Sequence, residues 1–160
     1  MSRPRTTHRG PRASSAARVP GIDYANLYAH FGYALRRAQI TAFAAFARAT
    51  ERLAITPPRY TALVILQANP GISQSALGEV LGTARSGAMM LTNWLVGRGL
   101  AERRHRPDDG RAWGLYLTRD GRALTARLKR RVYEYDQRVA ARLTPAERRE
   151  LLRLLDKIAE

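Results

Sequence analysis

The feature that most constrains the fold is the segment Asp109-Gly-Arg-Ala-Trp-Gly-Leu-Tyr-Leu-Thr118, which follows a loop of turn-forming residues. Trp113, Leu115 and Leu117 lie two residues apart, so an extended chain places all three side chains on one face. A first strand is expected just upstream, at Leu100–Arg104. The pattern therefore predicts a two-stranded hairpin whose loop is exposed and basic.

Two short helices are predicted immediately before this hairpin, at 73–82 and 84–97, with Gly82 permitting a tight turn between them. Helix, tight turn, helix and hairpin in that order describe a winged helix-turn-helix. Such a module places its second helix, the recognition helix, in the major groove and its cationic loop over the backbone or in the minor groove. The order of elements therefore predicts binding to duplex DNA.

The amino-acid composition agrees with a polyanionic partner and excludes several kinds of cofactor and redox site. The 160 residues carry a formal net charge of +15, which favours nucleic acid, although a solvated basic surface would give the same balance. The absence of cysteine excludes disulfides, iron–sulfur clusters and thiol redox sensing. His8, His30 and His105 are far apart and lack the spacing of a metal motif.

Neither an enzyme nor a membrane protein is indicated. No apolar run approaches 18 residues and no apolar signal core follows Met1, so a cytoplasmic protein is expected. Phosphate-binding glycine loops and a G-x-S-x-G nucleophile motif are absent. The sequence therefore predicts no catalytic residue, no metal, no cofactor and no membrane partner.

Further helices flank the winged segment. Apolar residues at three- and four-residue spacing predict helices at 23–53, 57–68, 119–142 and 145–159, and Thr144-Pro-Ala-Glu147 forms a capping box. We expect three regions: a disordered basic tail at 1–21, a DNA-binding domain at 56–118, and a helical dimerisation region that combines 22–55 with 119–160. The predicted fold class is mainly α with a small β-hairpin wing.

The ordered set of motifs resembles the MarR family of winged-helix regulators from about residue 30 to the C-terminus. The matching segments are Thr56-Pro-Pro-Arg-Tyr60, Ser73-Gln-Ser-Ala-Leu-Gly-Glu-Val-Leu-Gly82, Arg85-Ser86, Leu91, Leu95, Arg98-Gly-Leu100, Asp109-x-Arg111, and Leu115-x-Leu117-Thr118 with Gly121. The resemblance implies a homodimer whose first and last two helices interleave. It also implies a transcriptional repressor released by a small aromatic or anionic molecule, aromatic acyl-CoA thioesters included.

Candidate DNA-binding residues lie on the recognition helix and the wing. They are Arg85, Ser86, Met89, Met90, Asn93, Arg106 and Arg111, and Asp109 would stabilise the wing by pairing with an arginine. The run Ser86-Gly-Ala-Met-Met90 departs from the polar residues usual in the family. Methionine cannot form the hydrogen bonds that read guanine or adenine, but it can contact thymine methyl groups. For Arg103, Arg104 and Arg106, a solvated strand edge is as good an interpretation as DNA contact.

Candidate effector-binding residues are Tyr28, His30, Phe31, Arg36 and Tyr60. An arginine beside aromatic rings can hold a carboxylate or phosphate through two hydrogen bonds. Aromatic residues at helical spacing are equally typical of a core or a dimer interface, and that alternative stays open.

Two functional hypotheses follow. The first is a dimeric, ligand-responsive regulator that binds an inverted repeat. The second is an architectural DNA-binding protein without a ligand, whose affinity would depend on salt but hardly on base sequence. The sequence does not distinguish a repressor from an activator.

Overall fold

The computed structural model describes residues 18–107 and 110–159. They fall into two compact units, one ending at Ala45 and the other beginning at Phe46. The elements are α1 (Phe31–Thr50), α2 (Pro57–Ala68), α3 (Gln74–Val80), α4 (Arg85–Gly97), β1 (Ala101–His105), β2 (Trp113–Leu117), α5 (Arg119–Val139) and α6 (Pro145–Ala159). The order matches a winged helix-turn-helix with additional helices on either side.

The first helix is shorter than the predicted span of 23–53. A 3-10 turn occupies Leu27–Ala29, His30 is extended, and α1 begins only at Phe31. The side chain of Asp23 accepts a hydrogen bond of 2.8 Å from the amide of Ala25, which has a φ of +45°. This local turn competes with helix formation, as is usual for aspartate. A further 3-10 turn at Glu51–Leu53 follows α1.

The second unit contains a core to which α2, α3, α4 and α5 all contribute. Its fully buried leucines are Leu63, Leu66, Leu77, Leu95 and Leu128. Each buried leucine contributes roughly 1.5–3 kcal/mol of transfer free energy relative to an exposed one. This core holds the recognition helix α4 against its neighbours and fixes which face of α4 meets solvent.

The turn between α3 and α4 depends on close backbone packing. The Ser73 hydroxyl caps α3 by accepting a 3.1 Å hydrogen bond from the amide of Ala76. At Gly87, an added Cβ would meet the Thr83 hydroxyl, so a larger residue there would require the Thr83 side chain to turn away. The N-cap of α4 is Ala84, and no side chain caps the helix.

The hairpin pairs Ala101 with Leu117, Arg103 with Leu115 and His105 with Trp113. The predicted shared face of Trp113, Leu115 and Leu117 therefore exists. Only the two leucines are buried, however, and Trp113 is 56% exposed because it lies at the far end of the strand.

The free side of β2 is tied to the segment before α3. Leu115 donates a 3.0 Å hydrogen bond to the carbonyl of Ile72 and accepts one of 2.9 Å from the amide of Gly71. A Cβ on Gly114 would come within 2.8 Å of the Gly71 backbone, so this approach requires glycine. The wing is thus hydrogen-bonded on both sides of β2.

The last two helices differ in burial. Thr118 caps α5 by accepting a hydrogen bond from Gly121 and donates its own hydroxyl proton to the carbonyl of Gly99 at 2.6 Å. The predicted capping box of α6 is confirmed, since Thr144 donates its amide proton to Glu147 at 2.7 Å. No residue of α6 is buried within the chain.

Candidate nucleic-acid interface

The candidate base-reading residues share the exposed side of α4. At about 100° per residue, the five positions Arg85, Ser86, Met89, Met90 and Asn93 fall within an arc of about 140°, with Asn93 near its centre. Ala88, Thr92 and Leu95 fall outside this arc, and all three are buried. The helix therefore presents one continuous surface. Its first turn carries the cationic Arg85, its second turn carries Met89 and Met90, and its third turn carries the amide of Asn93.

Both methionines on this surface are exposed, Met89 by 48% and Met90 by 66%. Neither fills the core, which is the ordinary use of methionine in a helix. Exposed apolar side chains of this size on a DNA-binding helix suit contact with thymine methyl groups.

A side-chain hydrogen bond joins this surface to the wing. Arg103 of β1 donates from Nη2 to Oδ1 of Asn93 at 2.7 Å, and the same nitrogen lies 3.5 Å from Oε1 of Gln74 on α3. Arg103 therefore contacts both helices of the helix-turn-helix.

Arg104 points the other way. Its guanidinium lies 4.1 Å from the centre of the Tyr116 ring and pairs with Glu102 at 3.3 Å. The sequence interpretation treated Arg103, Arg104 and Arg106 alike. The alternation of strand residues, with Ala101 and Leu117 on the buried face, was the signal that separates Arg103 from Arg104.

The wing loop is closed by backbone and aromatic contacts. The Arg106 amide donates a 2.9 Å hydrogen bond to the carbonyl of Ala112, and Arg111 in the loop is exposed. The rings of His105 and Trp113 stack with centroids 4.1 Å apart. Asp109, predicted to stabilise the wing, lies outside the described residues.

An open groove of about 260 Å³ separates α3 from the first half of α4. Its lining includes Gln74, Glu79 and Arg85. Because the groove borders Arg85 and Gln74, it continues the exposed surface of α4 toward α3.

In the first unit, Tyr28 is surrounded by aromatic and cationic groups. The guanidinium of Arg18 lies 4.0 Å and that of Arg37 4.2 Å from the centre of its ring. Tyr24 and Tyr33 contact the same ring edge-on at 5.3 and 5.5 Å. The buried Tyr28 hydroxyl has no hydrogen-bond partner among the described residues.

The other candidates of this unit are exposed. Phe31 and His30 stand at the start of α1, and Arg36 donates a 3.0 Å hydrogen bond to Gln39. An open groove of about 440 Å³ is lined by Gly32, Leu35, Arg36 and Gln39. The arginine of α1 that lies on the Tyr28 ring is Arg37, whereas Arg36 lines the groove.

Tyr60 belongs to an aromatic group of the second unit. The Phe46 ring lies 5.9 Å from Tyr60 and 5.8 Å from Tyr135. Partial burial, followed by the nearby carboxylate of Asp136, raises the pKa of Tyr60 and of Tyr135. Burial also raises the pKa of Asp136, against the opposing charge of Arg148. Tyr60 therefore remains neutral at physiological pH.

Two kinds of feature are absent from residues 18–107 and 110–159, a membrane-spanning helix and a metal-binding cluster. No helix there combines the length and apolar character of a membrane span. No three histidine, aspartate or glutamate side chains in that part of the chain are grouped so as to hold a metal ion.

Comparison with known proteins identifies the family. A family model described as the MarR family matches residues 55–112. A putative transcriptional regulatory protein for the hcr operon of Thauera aromatica is 37% identical over 94% of this chain and 90% of its own length. The chain belongs to the MarR family. The sequence prediction of this family is confirmed.

Solved structures of a transcriptional repressor, CouR, are similar to this MarR-family chain. CouR bound to a 23-mer DNA duplex has a TM-score of 0.81 and 35% identity, covering 87% of this chain and 99% of CouR. CouR bound to p-coumaroyl-CoA has the same TM-score at 34% identity, covering 87% and 98%. The predicted winged-helix fold is confirmed, and the chain is a DNA-binding transcriptional regulator.

Proposed function

We propose that this MarR-family chain is a homodimeric repressor that leaves its DNA operator when a small aromatic or anionic effector binds. The likeness to CouR carries the proposal, because that one repressor has been solved both with a DNA duplex and with p-coumaroyl-CoA. An effector that prefers a conformation with misplaced recognition helices lowers operator affinity by that preference alone.

In this proposal, residues 56–118 contact DNA while 22–55 and 119–160 form the dimer, and the protein works in the cytoplasm without catalysing a reaction. The exposed arc of α4 enters the major groove, with base contacts from Arg85, Ser86, Met89, Met90 and Asn93. Arg106 and Arg111 supply positive charge from the wing. Two equivalent helices favour an inverted repeat with half-sites about 10 base pairs apart.

The effector chemistry is proposed from the first unit. Tyr28 with Arg18 and Arg37 offers a stacking ring beside cationic groups, and Arg36 lines an open groove. Guanidinium groups bind carboxylate and phosphate oxygens, and aromatic rings stack on one another. An aromatic acid or an aromatic acyl-CoA thioester combines both features.

The first experiment selects the operator from a random DNA library and compares its affinity with that of scrambled duplex as salt is varied. A repressor should discriminate by at least about 10³-fold. An affinity that depends on salt but not on sequence would favour the architectural alternative instead.

The second experiment adds p-coumaroyl-CoA, p-coumarate or coenzyme A to the preformed complex and follows release by fluorescence anisotropy. Release by the thioester or the acid is expected, and the Arg36→Gln variant should need more effector at unchanged operator affinity. Arg48→Gln, further along the same helix, serves as the matched control. If a wider panel of aromatic acids and thioesters also releases no DNA, ligand control is contradicted.

A further inference from the structure

The hydrogen bond between Arg103 and Asn93 determines how the recognition helix presents its only exposed amide among the candidate base readers. A guanidinium carries donors and no acceptor, so the Asn93 side chain must turn its oxygen toward Arg103. The position of oxygen and nitrogen in an asparagine amide is otherwise ambiguous. Here the chemistry of the partner decides it.

The consequence is a fixed set of free groups on Asn93. Its Nδ2 retains two donors directed away from Arg103, and Oδ1 retains one lone pair. One remaining acceptor and a neighbouring donor are what an asparagine uses to bind the N6 and N7 edge of adenine. The bond to Arg103 therefore leaves the reading edge intact while removing rotation of the amide.

The backbone of Arg103 is held by the hairpin. Arg103 pairs with the buried Leu115 across the hairpin, and Leu115 is hydrogen-bonded to Ile72 on its other side. The weaker approach of the guanidinium to Gln74 at 3.5 Å adds a second point of attachment on α3. Asn93 itself lies near the centre of the exposed arc of α4.

We propose that Arg103 is a positioning residue that orients the Asn93 amide for base reading, an inference that rests on the proposed function. Its role is sequence discrimination rather than general attraction to DNA. Arg103 thereby makes the specificity of the recognition helix depend on the wing strand.

The test measures the ratio of operator to scrambled-duplex affinity for Arg103→Met, Asn93→Ala and the double variant. Each single change should lower the ratio about tenfold, and the double variant should lose no more than either one, because both remove the same reading unit. The slope of log affinity against log salt should not change. Arg104→Met, on the other face of β1, should leave the ratio as it is.

The Asn93→Asp variant separates the hydrogen bond to Arg103 from base recognition. A carboxylate accepts the Arg103 hydrogen bond but has no donor for a base, so discrimination should fall while thermal stability is kept. In the DNA-free protein, the NMR signals of the Asn93 side-chain amide should shift in Arg103→Met. That measurement remains informative if the variant binds DNA poorly, since it reports loss of the Arg103 hydrogen bond without DNA.

Different failures have different meanings. Additive losses, or a salt slope reduced by about 1 in Arg103→Met, would show Arg103 on a phosphate and overturn the positioning role. Unchanged discrimination in Asn93→Ala would overturn it too, because Asn93 would then not recognise a base and Arg103 would have no base-reading side chain to orient. A wild-type chain that does not discriminate at all would contradict the proposed function itself.

Discussion

Two thioether side chains occupy positions on the recognition helix where hydrogen-bonding residues would be expected. Met89 and Met90 are both exposed, and their chemistry restricts them to apolar contacts with bases. Sequence preference at those positions should therefore rest on thymine methyl groups rather than on purine edges.

Replacing either methionine with alanine should flatten the base preference at one or two operator positions that favour T·A pairs. The salt slope should stay constant, because no charge is removed. Selection from a randomised operator library for each variant measures the change. If both variants select the wild-type operator, base reading belongs to Arg85, Ser86 or Asn93, or to DNA shape.

At the wing, Arg111→Ala should weaken operator binding with little effect on folding, because Arg111 is an exposed residue in a glycine-containing loop. Loss of one phosphate contact should reduce the salt slope by about 1. Lys157→Ala on α6 removes the same charge elsewhere and is the control. Equal effects of the two changes would remove Arg111 from the DNA-binding surface.

The structural position of a single residue could be predicted from the sequence only where a local pattern determines it. The shared face of Trp113, Leu115 and Leu117 followed from the two-residue spacing of a strand. The hydrogen bond between Arg103 and Asn93 joins β1 to α4, and a local sequence pattern does not predict which side chains of two different elements come together. The close approach of Gly87 to the Thr83 hydroxyl was equally absent from the local pattern, because the two residues meet only once the turn has formed.

Among the helices, α6 carries a pH-sensitive cap. The amide and hydroxyl of Thr144 donate to the Glu147 carboxylate and lower its pKa below the ordinary value of 4.5. A depressed carboxyl pKa stabilises the fold above the ordinary value, and this contribution is lost as pH falls through the lowered one.

Glu147→Ala should therefore lower the thermal midpoint at pH 7, and the difference from the wild type should disappear as pH falls below about 4. Thermal unfolding followed by circular dichroism between pH 7 and 3 measures this. Thr144→Ala removes the hydroxyl donor and keeps the backbone amide donor, so it should show a smaller pH-dependent loss than Glu147→Ala. A constant difference down to pH 3 would mean that the cap contributes nothing ionic.

Helix and strand order was predictable because capping residues, glycine turns and apolar periodicity agree from 57 onward. The error at 23–53 has a physical origin: the apolar spacing continues through residues that a local aspartate turn removes from the helix. Apolar periodicity indicates which face of a helix would be apolar. It does not indicate whether a side-chain turn such as that of Asp23 prevents the helix from forming.

For the molecule as a whole, we propose that the exposed apolar stripe on α6 packs against a second copy of the chain. Leu151, Leu152, Leu154, Leu155 and Ile158 are between 36% and 54% exposed. A single chain does not bury them, and contiguous apolar surface of this kind marks a protein interface.

Leu151→Glu combined with Leu155→Glu should abolish the dimer and with it cooperative binding to the inverted repeat. Sedimentation velocity measures the assembly state, and Arg149→Glu on the polar side of the same helix is the control. A double variant that sediments as a dimer would place the interface elsewhere.

The double hydrogen bonding of β2, to β1 and to the Gly71–Ile72 backbone, has a dynamic consequence. The Leu115 amide should therefore exchange slowly with deuterium, and we expect the wing to keep its position against the segment before α3. An effector that leaves each DNA-binding module unchanged in this way would lower operator affinity by changing the distance between the two modules of the proposed dimer. Spin labels on α4 would record that change as a shift between copies, while α4-to-wing distances within each copy stay constant.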